Sequence, residues 1–180
     1  MIIKEKNQGI SEEDKSKLEE IYHYYLNNEL VLKMKEITIH RGTNCYVHSF
    51  KVAKEAIKIA LKRKHRVDLE AILVAAILHD YYLYSWRKDR SLLKKHGSRH
   101  PKVANENAKR DFNISDSVSE IILSHMWPYS IKPFPKKREA KIVSFADKIV
   151  ALRDAFTSKK HKEERAKNED DFIKTLFDNK

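Results

Sequence analysis

"DLEAILVAAILHD", residues 68–80, decides the fold class. Asp68 is a helix-capping residue at the head of an apolar run whose one polar member is Glu70. A run that is apolar nearly all round predicts a helix over 69–80 buried at the centre of a bundle, not one lying on a surface. Its end is unusual. His79 and Asp80 are both costly to bury unless something pairs with them.

Outward from this segment the chain reads as more helices. Ser11 caps a predicted helix over 11–36, with acidic residues in its first turn. "HRGTN", residues 40–44, breaks the chain before a helix over about 44–63 with an apolar face of Val47, Phe50, Val52, Ala53, Ala56, Ile57 and Ala60. Residues 81–100 read as irregular. Pro101 suits the first position of a helix over about 101–112. Ser115 caps another that ends near Met126, a Pro-bearing loop covers 130–135, and a further helix spans about 136–157. Phe172, Ile173, Leu176 and Phe177 suggest a short terminal amphipathic helix. With 3 Gly and 4 Pro in 180 residues, there is little turn chemistry for hairpins. The expectation is an all-α protein, a single bundle of six or seven helices. One domain spans 1–180, its motif-bearing core covers about 40–157, and the N-terminal helix and C-terminal tail pack on it.

Net charge is +11, which favours anionic partners such as nucleotides, nucleic acid or acidic surfaces; a lysine-rich solvated surface gives the same number. The single cysteine, Cys45, fits a reducing compartment, and the N-terminus lacks the apolar core of a signal peptide. No apolar run approaches the ~18 residues of a membrane span. A cytoplasmic protein with no membrane association is expected.

Nine histidines need sorting. His23, His65 and His161 sit among polar neighbours and read as surface residues, and His40 is borne on a loop. His48, His79, His100 and His125 lie on apolar faces or at helix ends, and Asp147 lies in an otherwise apolar stretch, "IVSFADKIVAL". Taken singly, each is an ordinary hydrogen-bonded core residue. Taken together, imidazole nitrogens and carboxylate oxygens are the ligands of zinc, iron, manganese, cobalt and nickel. A dication lets buried carboxylates stay ionised. Asp80 has two oxygens and can bridge two ions, with His48, His79 and Asp147 on one side and His100 and His125 on the other.

The order His48, His79-Asp80, Asp147, with the pair ending an apolar helix and the last Asp inside "FADKIVAL", resembles the HD superfamily of metal-dependent phosphohydrolases. His100 and His125 resemble the additions found in its two-metal members, including bacterial enzymes that split diadenosine tetraphosphate. "HGSRHPKVANENA" (96–108) and "ILSHMWP" (122–128) are similar to a bacterial group of small, stand-alone HD proteins. One departure stands out. Many relatives follow His-Asp with Ile-Gly-Lys, whereas "YYLYSWRK" (81–88) follows here, leaving Arg87 or Lys88 to substitute for that lysine.

The resemblance implies hydrolysis of a phosphoester or phosphoanhydride, with a nucleotide as the expected substrate and one or two divalent transition-metal ions (Fe, Mn, Co, Ni or Zn) as cofactor. Asp80 then positions or bridges the nucleophile. Arg41, seven residues before His48, is a phosphate contact suited to bidentate binding. His96 and Arg99 flank His100 and are further substrate contacts. Tyr81, Tyr84, Trp86 and Trp127 either stack on a base or pack in the core. Two other classes stay open. A basic nucleic-acid-binding protein is favoured by the charge and by Lys136, Lys137, Arg138 and Lys141, but lacks any nucleic-acid-binding signature. A catalytically silent metal-binding scaffold would keep the same ligands.

Overall fold

The computed structural model describes residues 10–40, 43–63, 66–85 and 96–156. Among the described residues there are seven α-helices: α1 (Glu12–Asn27), α2 (Glu29–Leu32), α3 (Cys45–Leu61), α4 (Leu69–Leu78), α5 (His96–Phe112), α6 (Asp116–Ser124) and α7 (Arg138–Phe156). The expected all-α bundle is what forms. α4 lies at its centre, packed against α3, α6, α7 and α1, while α3 packs against α7 and α5 against α6. Ile72, Ala75, Ala76, Ile77 and Leu78 of α4 have no exposed surface. Each of the larger three contributes about 1.5–3 kcal/mol of apolar burial. The described helices include none long and apolar enough to cross a membrane.

The predicted caps form. The Ser11, Asp68 and Ser115 side chains accept from the backbone N–H groups of Asp14, Ala71 and Val118. Asp68 is also tied to α7, its own N–H donating to Glu139 Oε1 at 3.1 Å.

Three local readings need correction. The helix expected over 11–36 is broken at Asn28, which is followed by α2 and a 3₁₀ turn, Lys33–Glu36. Asn28 is extended (φ −73°, ψ 125°), and its side chain accepts from the Leu30 N–H and restarts the helix. Val31 and Met34, beyond the break, are fully buried, so the apolar spacing runs through a kink it cannot report. The fourth long helix begins at His96, not Pro101, which lies buried inside α5. So close to the N-terminus its missing N–H deprives only the Gly97 carbonyl. Lastly, two short antiparallel strands form about the break at 40–44, β1 (Thr38–His40) leading into it and β2 (Thr43–Asn44) at its end. Asn44 then caps α3, accepting from the Val47 N–H at 2.9 Å. The terminal helix expected around Phe172 lies outside the described residues.

Candidate metal centre

His79 and His125 occupy the C-caps of α4 and α6, where the helix's own i→i−4 ladder runs out. Each imidazole supplies a donor there. Nδ1 of His79 lies 2.8 Å from the Ala76 carbonyl and Nδ1 of His125 lies 2.7 Å from that of Ile122. In α5, His100 Nδ1 lies 2.9 Å from the His96 carbonyl. A carbonyl only accepts, so all three Nδ1 atoms carry the proton. With Nδ1 so used, Nε2 is the nitrogen each ring has left to offer a ligand bond.

Those Nε2 atoms converge on one carboxylate. Asp80 Oδ2 is 3.5 Å from His79 Nε2, and Oδ1 is 3.3 Å from His100 Nε2 and 3.8 Å from His125 Nε2. On the other side, Asp147 Oδ1 is 3.0 Å from His48 Nε2 and 3.7 Å from His79 Nε2. Three groups have ligand atoms all within 4.8 Å of one another: His48, His79 and Asp80; His79, His125 and Asp147; Asp80, His100 and His125. The structure thus brings together all six residues singled out as ligands, with Asp80 between the two ends. All six are buried or nearly so.

These donors fit a cation. His79 Nε2 is buried with no hydrogen-bond partner, and the His100 and His125 Nε2 atoms face each other at 3.0 Å. Burial, countered in part by Asp80, holds His100 below the usual histidine range. Burial with the adjacent His79 and His100 takes His125 down to about 3. Neither is a proton carrier at neutral pH. His48 differs. Burial alone lowers it, but the Asp147 and Asp154 carboxylates outweigh burial and raise it to about 10. Burial works against ionising Asp80, yet the surrounding His79, His100 and His125 hold it at about 2. Asp147 stays ionised in the same way, its burial outweighed first by His48.

Of the expected substrate contacts, Arg41, Arg87 and Lys88 lie outside the described residues, as does Trp86. His96 is half-buried, its ring stacked on His100 with centroids 4.6 Å apart. Its Nδ1 lies within hydrogen-bond distance of the Tyr84 hydroxyl, at 3.1 Å. Arg99 is exposed. Tyr81 is a core residue, fully buried and donating to Asp111 Oδ2 at 2.8 Å. Trp127 is more than one-third exposed and packs edge-on to Phe134. The basic patch is partly neutralised, since Lys137 pairs with Glu120 at 3.1 Å.

Sequence reasoning missed Asp154, Lys51 and Lys148. Lys148 donates to the His125 carbonyl and lies 3.3 Å from Asp147 Oδ2, tying α7 to the end of α6. Asp154 lies two helical turns beyond Asp147, and Lys51 one turn beyond His48. That spacing puts each on its ligand's side of the helix, but only the packing of α3 against α7 brings Lys51 and Asp154 together.

A helical bundle that gathers four histidines and two aspartates from five of its helices and their ends defines a class of metal-site proteins. The family model of the HD domain matches residues 45–152, and the chain belongs to the HD-domain family, most of whose members are metal-dependent hydrolases. No curated protein and no solved structure matches the chain.

Proposed function

We propose that this protein is a metal-dependent phosphohydrolase that cleaves a phosphoester or phosphoanhydride bond of a nucleotide, using two divalent transition-metal ions. The observation that carries the reading is Asp80, whose two oxygens face His79 on one side and His100 and His125 on the other. His48, His79, Asp80 and Asp147 would hold one ion, and Asp80, His100 and His125 the second. Bound there, such ions supply a Lewis acid for phosphoryl oxygens and make water a nucleophile near neutral pH.

The chain's own residues do the rest. Asp80 orients both ends of the site about a single carboxylate. Lys148 neutralises the Asp147 oxygen turned away from His48. The paired Tyr84 and His96 wall the His100 end, and Arg99, with Arg41, Arg87 and Lys88, supplies positive charge for the phosphates. The net charge of +11 draws in polyanions.

Metal analysis of the purified protein, joined to phosphate release from a panel of nucleotides with and without chelator, tests the reading. Chelator-sensitive release from a nucleotide is expected. A protein that takes up none of manganese, iron, cobalt, nickel or zinc is not this enzyme. Metal uptake without turnover would instead favour a silent scaffold, and salt-sensitive retention on DNA without metal a nucleic-acid-binding protein.

A further inference from the structure

Three of the four ligand histidines have rings fixed by a backbone carbonyl: His79 by Ala76, His100 by His96 and His125 by Ile122. His48 has no such carbonyl among the described residues. It stands one turn into α3, where the preceding carbonyls serve the helix's own ladder. The group facing its Nδ1 is a carboxylate, Asp154 Oδ2, at 4.0 Å.

Asp154 is itself buried, 6 % exposed. Its Oδ1 accepts from Lys51 Nζ at 3.1 Å, while Oδ2 is buried with no hydrogen-bond partner among the described residues. A buried carboxylate oxygen without a donor is expensive to keep. This one points at the one ligand ring that no backbone carbonyl fixes, a ring otherwise met only by a second proposed ligand, Asp147 Oδ1, 3.0 Å from Nε2. The support spans two helices: α3 carries a proposed ligand and, one turn on, Lys51; α7 carries a proposed ligand and, two turns on, Asp154, which pairs with Lys51. Asp154 also lies beyond the segment matched by the family model, which ends at residue 152.

We propose that Asp154 is the positioning residue of the metal centre: its Oδ2 accepts the Nδ1–H of His48 and so turns Nε2 toward the metal, while Lys51 holds the carboxylate in place. The inference rests on the metal reading of the six ligands. Carboxylates that take the outer N–H of a ligand histidine fix its tautomer and raise its basicity, and losing one costs about 10–100-fold in metal affinity.

The test is zinc binding by competition with a chelating dye, in wild type, Asp154→Ala, Asp154→Glu and Lys51→Met. Asp154→Ala should weaken one of two zinc equivalents by about 10–100-fold and leave the other unchanged. Asp154→Glu should recover part of the loss. Lys51→Met breaks the same α3–α7 ion pair but keeps the carboxylate, so it should lose comparable thermal stability and much less affinity. Should Asp154→Ala fail to fold, ¹⁵N spectra of histidine-labelled, zinc-loaded wild type decide the matter through the His48 tautomer. A proton on Nδ1 supports the proposal and a proton on Nε2 overturns it. Wild type that binds no zinc removes the metal reading and this inference with it. Wild type that binds, with Asp154→Ala binding as well or losing no more than Lys51→Met, overturns this inference alone.

Discussion

The Nε2 atoms of His100 and His125 face each other at 3.0 Å, while the Nδ1–H of each ring is already committed to a backbone carbonyl. Two lone pairs cannot share that space without a proton or a cation between them. Both rings are held below the usual histidine range, chiefly by burial, so a proton is the weaker solution at neutral pH. Zinc at about 100 times its Kd should therefore stabilise the fold by about 2.7 kcal/mol. For a domain of this size that raises Tm by about 5–11 °C. His125→Ala should lose a large part of the rise. Differential scanning fluorimetry across a zinc titration reads it directly, and an unchanged Tm in wild type counts against the site.

Asp80 is shared by both ends, so its loss should be worse than that of any one histidine. Asp80→Asn keeps the volume and removes the charge that faces three imidazoles. Hydrolysis of the responsive nucleotide should fall more than about 100-fold. Initial rates at saturating metal check this, and a variant within tenfold of wild type would remove Asp80 from the centre of the mechanism.

The metal-free protein should be most stable near pH 6.5. His125, held at about 3, leaves the folded chain without a proton that the unfolded chain, with a histidine pKa of ~6.5, takes up. Its contribution is complete above about pH 6.5 and falls as acid is added down to about 3. His100 acts with the same sign. Asp80, at about 2, adds a stabilisation that is complete above the unfolded aspartate value of ~3.9 and lost as the pH falls through about 2. His48 runs the other way. Raised to about 10, it contributes fully below about pH 6.5 and loses that as the pH climbs through about 10. Tm of chelator-treated protein measured from pH 3 to 10.5 should fall on both sides of the maximum. A profile flat from pH 4 to 7 would contradict the buried neutral histidines.

Arg99 is exposed near the His100 end and touches no ligand in the set described. Arg99→Ala should raise KM for an anionic nucleotide by up to about fivefold, roughly 1 kcal/mol, with kcat and zinc affinity unchanged. The difference should shrink as salt rises. A parallel fall in kcat would show that Arg99 acts on the reacting phosphate.

The bundle's centre can be weakened away from the site. Ile72 is fully buried in the first half of α4, and Ile72→Ala should cost about 2–5 kcal/mol in chemical denaturation. Asp68→Ala removes the side-chain cap of α4 while keeping the backbone N–H that donates to Glu139, and should cost about 1 kcal/mol. Both variants should bind zinc as wild type does wherever they are folded.

The sequence alone determined what depends on neighbours along the chain. The apolar density of 68–78 makes α4 central whatever packs around it, and Ser11, Asp68 and Ser115 cap helices because a side-chain oxygen beside the first turn reaches its free N–H groups. The six candidate ligands could be singled out because histidines and aspartates on apolar faces or at helix ends are costly to bury without a partner. Where two local solutions compete, the sequence could not choose: Asn28 breaks a helix that apolar spacing continues, and α5 starts before Pro101. Which nitrogen each imidazole presents depends on how each ring sits against the carbonyls near it, of Ala76, His96 and Ile122, and this is a matter of three-dimensional geometry. Asp154, Lys51 and Lys148 acquire meaning only once α3, α6 and α7 lie side by side. Residues 48, 51, 147 and 154 are separated by about a hundred positions of chain, and hydrogen bonds between them exist only after the core has paid the entropy of bringing those helices together.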